Sequence, residues 1–188
     1  MTIAIALVAA GLLAGILIGF VIPRARRPAP RAERPTSTRR ILLPFTGTTV
    51  SRRAVEAALR LAGVEDATLM PAFLARVPLY LPLESPLPRQ CDIGMPLLEA
   101  IEQRAAARGI PIDGRVERGR SYRHALSRLL ETEPFDRVII SATDDPTVGL
   151  SGDDIIWVLQ HAKAEVLILR PAPDDHRLVT ATGLAGHF

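Results

Sequence analysis

The chain has 188 residues, of which 48% are hydrophobic, 23% charged and 4% aromatic, enough for one globular domain with an appended segment. A single cysteine, Cys91, excludes an intramolecular disulfide and a multi-cysteine metal site, and it fits a reducing compartment. The net charge of +3 is uneven: residues 23–40 hold seven arginines and one glutamate, or +6, which leaves −3 for the rest. Because this basic run has no aromatic residue for base stacking, no nucleic-acid partner is expected.

Residues 2–22 form a run without a charged residue. As a helix, about twenty such residues span a hydrocarbon core of about 30 Å, so we expect residues 1–22 to be a transmembrane helix. A cleaved signal peptide, the alternative, would carry basic residues before the run, but here all flanking arginines follow it. By the positive-inside rule the C-terminal side is cytoplasmic. This predicts a single-pass protein of the inner (cytoplasmic) membrane, with its C-terminal domain in the cytoplasm.

Three glycines, Gly11, Gly15 and Gly19, recur every four residues within this segment and share one helix face. Such a face lets two membrane helices approach closely and form a homodimer; the other interpretation is that glycine is frequent in membrane helices generally. Residues 23–38, rich in Arg and Pro, are typical of a solvated juxtamembrane linker and topology signal. Recognition of anionic lipid headgroups is the alternative.

The body of the chain alternates strands and helices. Ile41–Phe45 is a short apolar strand, followed by a helix that we expect to begin at the N-cap Ser51 and to end at Gly63. The predicted buried stripe of this helix consists of Ala54, Val55, Ala58, Leu59 and Ala62. Residues 67–77 form a second strand, in which Pro71 indicates a bulge or an edge position.

Proline dominates the next stretch, so we predict a long surface loop over residues 78–96. A helix should follow, with Pro96 in its first turn and Gly109 just past its end. Residues 111–119 are predicted as a weak strand.

The last third of the chain predicts a helix that begins at Ser121 and ends before Pro134. Val138–Ile140 indicates a strand buried on both faces, and a final helix leads to a last strand, Val166–Leu169. Five strands separated by helices predict an α/β fold with a parallel sheet and right-handed crossovers. Residues 172–188 have no clear period and are predicted to be a frayed tail.

Three stretches of this body match one protein family in the same order. They are RRILLPFTG at 39–47, GRVERGRSYRHALSRLLETEPFDRVIIS at 114–141, and GLSGDDIIWVLQHAKAEVLILRP at 149–171. Residues 39–171 therefore resemble a universal stress protein domain. The resemblance implies a flavodoxin-like (HUP-type) five-stranded parallel sheet and a homodimer formed through the last strand. It leaves open whether this chain binds ATP, because some members of the family bind ATP and others do not.

The family's ATP site carries over to only part of this sequence. In ATP-binding members an acidic residue ends the first strand, but here Thr46 stands at that position and is followed by Gly47. Those members then carry Gly-x-x-Gly, about nine further residues and a Gly followed by Ser or Thr, which together cradle phosphate at a helix N-terminus. Here Ala142 and Asp145 stand on the first two glycines, and only Gly152 keeps its place.

Asp153 occupies the position of the family's hydroxyl residue. A carboxylate about 4 Å from a phosphate costs on the order of 4 kcal/mol at an effective dielectric of about 20, which is a large part of a micromolar binding energy. We therefore interpret the nucleotide site as degenerate. In place of a phosphate, the carboxylates of Asp153 and Asp154 would satisfy the helix N–H groups and complement the helix dipole. A cation that bridges Asp144, Asp145, Asp153 or Asp154 to a phosphate is the alternative; otherwise no metal is expected.

No catalytic site is expected. His124 and His161 fall on predicted helices, where a lone histidine is usually a surface or packing residue, and Trp157 is interpreted as packing. Ser151 lacks the second glycine of the Gly-x-Ser-x-Gly pattern that a nucleophile elbow requires, because Asp153 stands at that position. The sequence thus predicts a non-catalytic, membrane-anchored regulatory or interaction module without a cofactor, whose membrane or cytoplasmic protein partner is unknown. The alternative is a stress-response domain that senses ATP or another adenine nucleotide in a modified mode.

Overall fold

The structure is a computed structural model that describes residues 39–142 and 150–170, together with the backbone of Leu178–Thr180. These residues lie in one compact unit, Ser37–Phe188. The described strands are β1 (Arg40–Phe45), β2 (Thr49–Ser51), β3 (Thr68–Arg76), β4 (Arg115–Gly119), β5 (Arg137–Ser141), β6 (Glu165–Leu169) and β7 (Leu178–Thr180). The described helices are α1 (Arg52–Glu65), α2 (Pro88–Ala106), α3 (Tyr122–Thr132) and α4 (Gly152–His161).

Five of the strands form one parallel sheet in the order β4-β3-β1-β5-β6. The predicted five-stranded parallel sheet is therefore confirmed. The strand order reverses at β1, because the chain first adds β3 and β4 on one side and then returns to add β5 and β6 on the other. At such a point the connections leave the sheet in opposite directions and open a crevice beyond the carboxyl ends of the strands.

Each face of the sheet has its own hydrophobic core. Leu43 and Ile139 pack with α1 and α2, whereas the alternating residues Leu42, Val138 and Ile140 pack with α3 and α4. Val138, Ile139 and Ile140 are each 0% exposed. This confirms the prediction of a strand that is buried on both faces, as parallel strands covered by helices require.

Helix α1 begins as predicted but ends later. The side chain of Ser51 accepts the N–H of Ala54 at 3.3 Å, and all five residues of the predicted stripe are buried. The predicted end at Gly63 is wrong, because the helix continues to Glu65 and ends at Asp66, which has φ 59°. Aspartate adopts this left-handed conformation more readily than most residues other than glycine.

Pro71 lies in a central strand, so the prediction of an edge position is wrong. Strand β3 runs between β1 and β4. Its pairing with β1 continues without a bulge past Pro71, which lies opposite Leu43. Leu69 directs its N–H and C=O toward the β4 side, and Pro71, two residues later, faces the same side. There the pairing is interrupted between an isolated bridge at Ile112 and the start of β4 at Arg115. The absent N–H of Pro71 therefore faces a gap in the ladder.

The predicted loop over residues 78–96 is too long, because α2 already begins at Pro88. Pro88 takes a first-turn position, where the missing N–H has no intrahelical partner to lose. Pro96, predicted for that turn, lies inside the helix instead. An internal proline costs about 3 kcal/mol in propensity, and packing offsets it here, since Gly94 lies directly on the Phe73 ring and Leu97 is fully buried.

Strands β2 and β7 form a separate antiparallel pair. Part of the predicted frayed tail is therefore a paired strand, Leu178–Thr180, while 171–177 and 181–188 lie outside the described residues. The predicted transmembrane helix and linker, residues 1–38, lie outside them as well. Within the part of the chain that the structure describes, no helix has the length and apolar character needed to cross a membrane.

Candidate functional site

The residues predicted to form a site follow β1 and β5, the two strands at the switch point. Thr46 follows β1 directly and is only 1% exposed, so its side chain offers almost no surface to a ligand. Gly47 has φ +74°, a left-handed conformation that glycine adopts at little cost. Ala142 follows β5 directly, and its N–H donates to the carbonyl of Leu169. Asp144 and Asp145 lie outside the described residues.

A cavity of about 470 Å³ opens at the carboxyl edge of the sheet. We call it the carboxyl-edge cavity; its lining residues are Gly47, Thr48, Phe73, Leu74, Arg76, Pro78, Gln90, Ile93 and Tyr122. They come from the ends of β1 and β3, the first turns of α2 and the start of α3. The volume falls in the range of small-molecule sites, about 300–1,000 Å³, and the mixture of apolar walls with a few polar groups is also typical of them.

Gln90 makes the most specific contact in this cavity. The N–H of Arg76 donates to Gln90 Oε1 at 2.9 Å, and Gln90 Nε2 donates to the Arg76 carbonyl at 2.8 Å. The planar carboxamide of Gln90 thus pairs edge to edge with the main chain at the end of β3. This point lies beyond the last pair between β1 and β3, which is Phe45 opposite Phe73. The side chain of Gln90 takes the place that a longer β1 would fill.

The walls of the cavity are held by close packing and by the loop after β3. A Cβ added to Gly94 would lie 2.3 Å from the Phe73 ring, so α2 approaches β3 at a distance that only glycine permits. Arg120 donates to the carbonyls of Pro78 and Leu81, at 2.6 and 2.8 Å. These contacts fix both α2 and the loop as walls of the cavity.

Two N–H groups at the start of α4 are satisfied by side chains of the same segment. Ser151 Oγ accepts the N–H of Asp154 at 3.2 Å, while the Asp154 carboxylate accepts the Ser151 N–H at 3.4 Å and its hydroxyl at 2.6 Å. This reciprocal arrangement is a capping box. Asp153 lies in the same first turn and is exposed, and the positive end of the helix dipole stabilises its negative charge.

A second set of contacts ties this helix start to α3. Arg123 Nε lies 3.3 Å from the Asp154 carboxylate, and the Arg123 guanidinium lies over the Trp157 ring, 6.0 Å from its centroid. The His161 ring stacks on Trp157 at 4.7 Å, and its Nδ1 lies 2.8 Å from the Trp157 carbonyl. Trp157 is partly buried against the core of this face, as the packing interpretation expects.

Gly152 does not need to be a glycine for steric reasons. A Cβ added there would meet no heavy atom within 4 Å. In a phosphate cradle, glycine allows the backbone to approach the ligand closely. The open space at Gly152 is therefore compatible with a phosphate, but the adjacent carboxylates are not.

The predicted site residues are not all brought together. Gly47 lines the carboxyl-edge cavity and Thr46 is buried beside it, whereas Gly152 and Asp153 stand at the start of α4, outside the cavity lining. The sequence analysis missed Gln90, which carries no recognisable signal. It also missed the capping role of Ser151, although Ser-x-x-Asp before an apolar helix is a known capping pattern.

One charged cluster lies far from this edge of the sheet and holds the fold together. At the opposite, amino-terminal edge of the sheet, Arg40 and Arg115 both pair with Asp113 and Glu133. The hydrogen bond that Arg115 donates to Asp113 and the negative charges of Asp113 and Glu133 raise the pKa of Arg115 above its usual range, against a smaller opposing effect of burial. Among residues 39–142 and 150–170, no group of three His, Cys, Asp or Glu side chains is arranged to hold a metal ion.

Comparison with known proteins gives one family. Residues 37–170 match the model of the universal stress protein family. A structure of a family member from Burkholderia pseudomallei is 20% identical with a TM-score of 0.54, over 72% of this chain and 98% of that one. A universal stress protein in complex with cAMP is 21% identical with a TM-score of 0.51, over 71% and 97%. A family protein from Arabidopsis thaliana with AMP bound is 14% identical with a TM-score of 0.52, over 73% and 94%. No curated protein sequence matched the chain.

Proposed function

This chain belongs to the universal stress protein family, and we propose that it acts as a non-catalytic regulatory or interaction module, held at the cytoplasmic membrane, whose nucleotide site has lost its phosphate-binding half. The observation that carries this proposal is the capping box at the start of α4. In it the side chains of Ser151 and Asp154 accept each other's backbone N–H, so these two donors are not free to bind a phosphate.

Electrostatics support the loss of phosphate binding. Asp153 lies in the first turn of α4, exposed beside the capping box. A phosphate that approached this turn would meet one carboxylate at close range, at a cost on the order of 4 kcal/mol. The Asp154 carboxylate already has Arg123 as its cation, so the guanidinium is not available to offset that repulsion.

Two features support a role in interaction. Leu79 and Tyr80, on the loop fixed by Arg120, are 85% and 84% exposed beside the carboxyl-edge cavity. Exposed apolar side chains on a fixed loop are suited to contact a protein partner. Membrane attachment rests on residues 2–22 and on the arginines that follow them, and dimerisation rests on β6, an edge strand of the sheet.

The experiment that tests the proposal is calorimetric titration of residues 37–188 with ATP and Mg²⁺. We expect no dissociation constant below about 100 μM, because several kcal/mol of phosphate contacts are missing. Binding in the low micromolar range would contradict the proposal. Heat measured with Mg²⁺ present but not with EDTA would favour the cation-bridged alternative.

The carboxyl-edge cavity favours a second candidate function, the sensing of an adenine nucleotide through its nucleoside half. Its volume of about 470 Å³ suits a nucleoside, and two structures of similar fold contain AMP or cAMP. This function predicts that adenosine or cAMP binds with a dissociation constant below about 100 μM. Thr48→Trp, at the exposed rim of the cavity, should then abolish binding, whereas Arg128→Gln on α3 should leave it unchanged.

A further inference from the structure

The C-terminal strand β7 leads the chain toward the carboxyl-edge cavity. It pairs antiparallel with β2, and its last residue, Thr180, lies opposite Thr49, the first residue of β2. Because the two strands run in opposite directions, the chain that leaves Thr180 continues toward the residue before Thr49. That residue is Thr48, which lines the carboxyl-edge cavity. The register of β7 therefore delivers residues 181–188 to the rim of this cavity.

The composition of the chain changes where β7 begins. Residues 171–177 contain two aspartates and one arginine, whereas residues 178–188, LVTATGLAGHF, contain no Lys, Arg, Asp or Glu. Beyond β7, Leu184 and Phe188 are the large apolar side chains. Water disfavours such side chains, so they gain free energy from contact with an apolar surface. Gly183 and Gly186, on either side of Leu184, allow the backbone to turn toward one.

The carboxyl-edge cavity offers a matching surface. Its volume is about 470 Å³, and Phe73, Leu74, Ile93 and Tyr122 contribute apolar walls. Among its lining residues only Arg76 carries a charge. Eight extended residues reach up to about 27 Å, so a segment that enters at the rim is long enough to cross the cavity.

From this placement we propose that residues 181–188 occupy the carboxyl-edge cavity of their own chain, with Leu184 and Phe188 against its apolar walls. Attachment through β7 makes the contact intramolecular. A short tether gives an effective concentration in the millimolar range, so a weak intrinsic affinity is enough to fill the cavity.

Such an occupant regulates access to the cavity. A ligand or partner that enters must displace residues 181–188, and its apparent affinity is reduced by the fraction of molecules whose cavity is open. This inference does not rest on nucleotide binding or on its loss, because the chain itself supplies the occupant.

The test measures how fast a cysteine in the cavity wall reacts with a maleimide. The full chain, in micelles of a nonionic detergent, carries Cys91→Ala and Ile93→Cys, so that its single thiol lines the cavity. We expect the double substitution Leu184→Ala and Phe188→Ala to raise the labelling rate at least about tenfold, because residues 181–188 then lose the apolar side chains that hold them.

Two controls separate occupancy of the cavity from other effects. The double substitution Thr182→Ala and His187→Ala keeps both large apolar side chains and should leave the labelling rate of Ile93→Cys unchanged. Met95→Cys, used in place of Ile93→Cys, lies about 200° further round α2 and outside the cavity lining. Its labelling rate should not respond to any change in residues 181–188.

Equal labelling of Ile93→Cys with the original segment and with the Leu184→Ala and Phe188→Ala segment would overturn the proposal. Labelling that accelerates on dilution of the protein would also overturn it, because the occupant would then come from a second copy of the chain. If Ile93→Cys fails to fold, Thr48→Cys at the exposed rim provides the same test with the same two outcomes.

Discussion

Replacing Asp154 by alanine should lower the free energy of unfolding by about 1–2 kcal/mol, whereas the same change at Asp153 should cost about 0.3–1 kcal/mol. The difference follows from their contacts. Asp154 accepts the N–H and the hydroxyl of Ser151 and pairs with Arg123 at 3.3 Å, with a side chain that is 17% exposed. The cap accounts for about 1 kcal/mol, and the ion pair, whose arginine side chain is 43% exposed, adds at most about 1 kcal/mol. Asp153 is exposed and acts mainly through the helix dipole.

The assay for this pair is urea denaturation of residues 37–188, followed by circular dichroism, with the two variants measured beside the wild type. Asp154→Asn provides a control, because its amide oxygen keeps an acceptor for Ser151 while the charge is lost. We expect its stability to fall between those of the wild type and Asp154→Ala. If Asp153→Ala proved at least as destabilising as Asp154→Ala, the capping box would not be what satisfies the start of α4, and the reasoning would be refuted.

Three further predictions concern packing, the carboxyl-edge cavity and association. Gly119→Ala should destabilise the domain by about 1–3 kcal/mol, because the new Cβ would lie 2.4 Å from a backbone nitrogen of α3; Gly152→Ala should stay within about 0.5 kcal/mol, and equal effects in thermal unfolding would contradict the geometry. Gln90→Ala should cost about 1 kcal/mol, because the N–H and C=O of Arg76 lose their partner; a neutral result in urea denaturation would mean that water replaces the amide. Ile168→Lys, on the edge strand β6 and 41% exposed, should convert a dimer of residues 37–188 to a monomer in sedimentation, whereas Gly15→Leu should weaken association only of the full-length chain in detergent. A wild-type body that is monomeric at tens of micromolar would remove the strand-pairing half of that prediction.

The fold was largely predictable because its signals are local and repeated. Ser51 and Ser121 each cap a helix at the expected residue, and the continuous apolar run Val138–Ile140 identified a doubly buried strand. Prolines caused the main errors. In the sequence, Pro71 and Pro96 indicate interruptions of regular structure, but tertiary contacts decide where they lie. Pro71 faces a gap in the ladder, and Pro96 lies in a helix held by the close approach of Gly94 to β3.

The candidate site was less predictable, because it depends on contacts between distant segments. Gln90 meets Arg76 across 14 residues, and nothing in the sequence around a glutamine announces such a pairing. The cavity between α1 and the end of β6 likewise needs Arg170 to come beside the first turns of α1, which requires the strand order of the sheet. The capping residue Ser151 was within reach of sequence reasoning, since its partner Asp154 stands three residues later. The charge of the two adjacent aspartates is the more conspicuous feature of this stretch, and it obscures the three-residue spacing between Ser151 and Asp154.

The central claim, that the start of α4 no longer takes a phosphate, is tested most directly by titrating residues 37–188 with adenosine and with ATP and Mg²⁺ under identical conditions. The account predicts that ATP binds no more tightly than adenosine, because the capping box already uses two N–H donors at the start of α4 and because the triphosphate approaches Asp153. ATP binding that is tighter than adenosine binding by about a hundredfold, or about 2.7 kcal/mol, would contradict it.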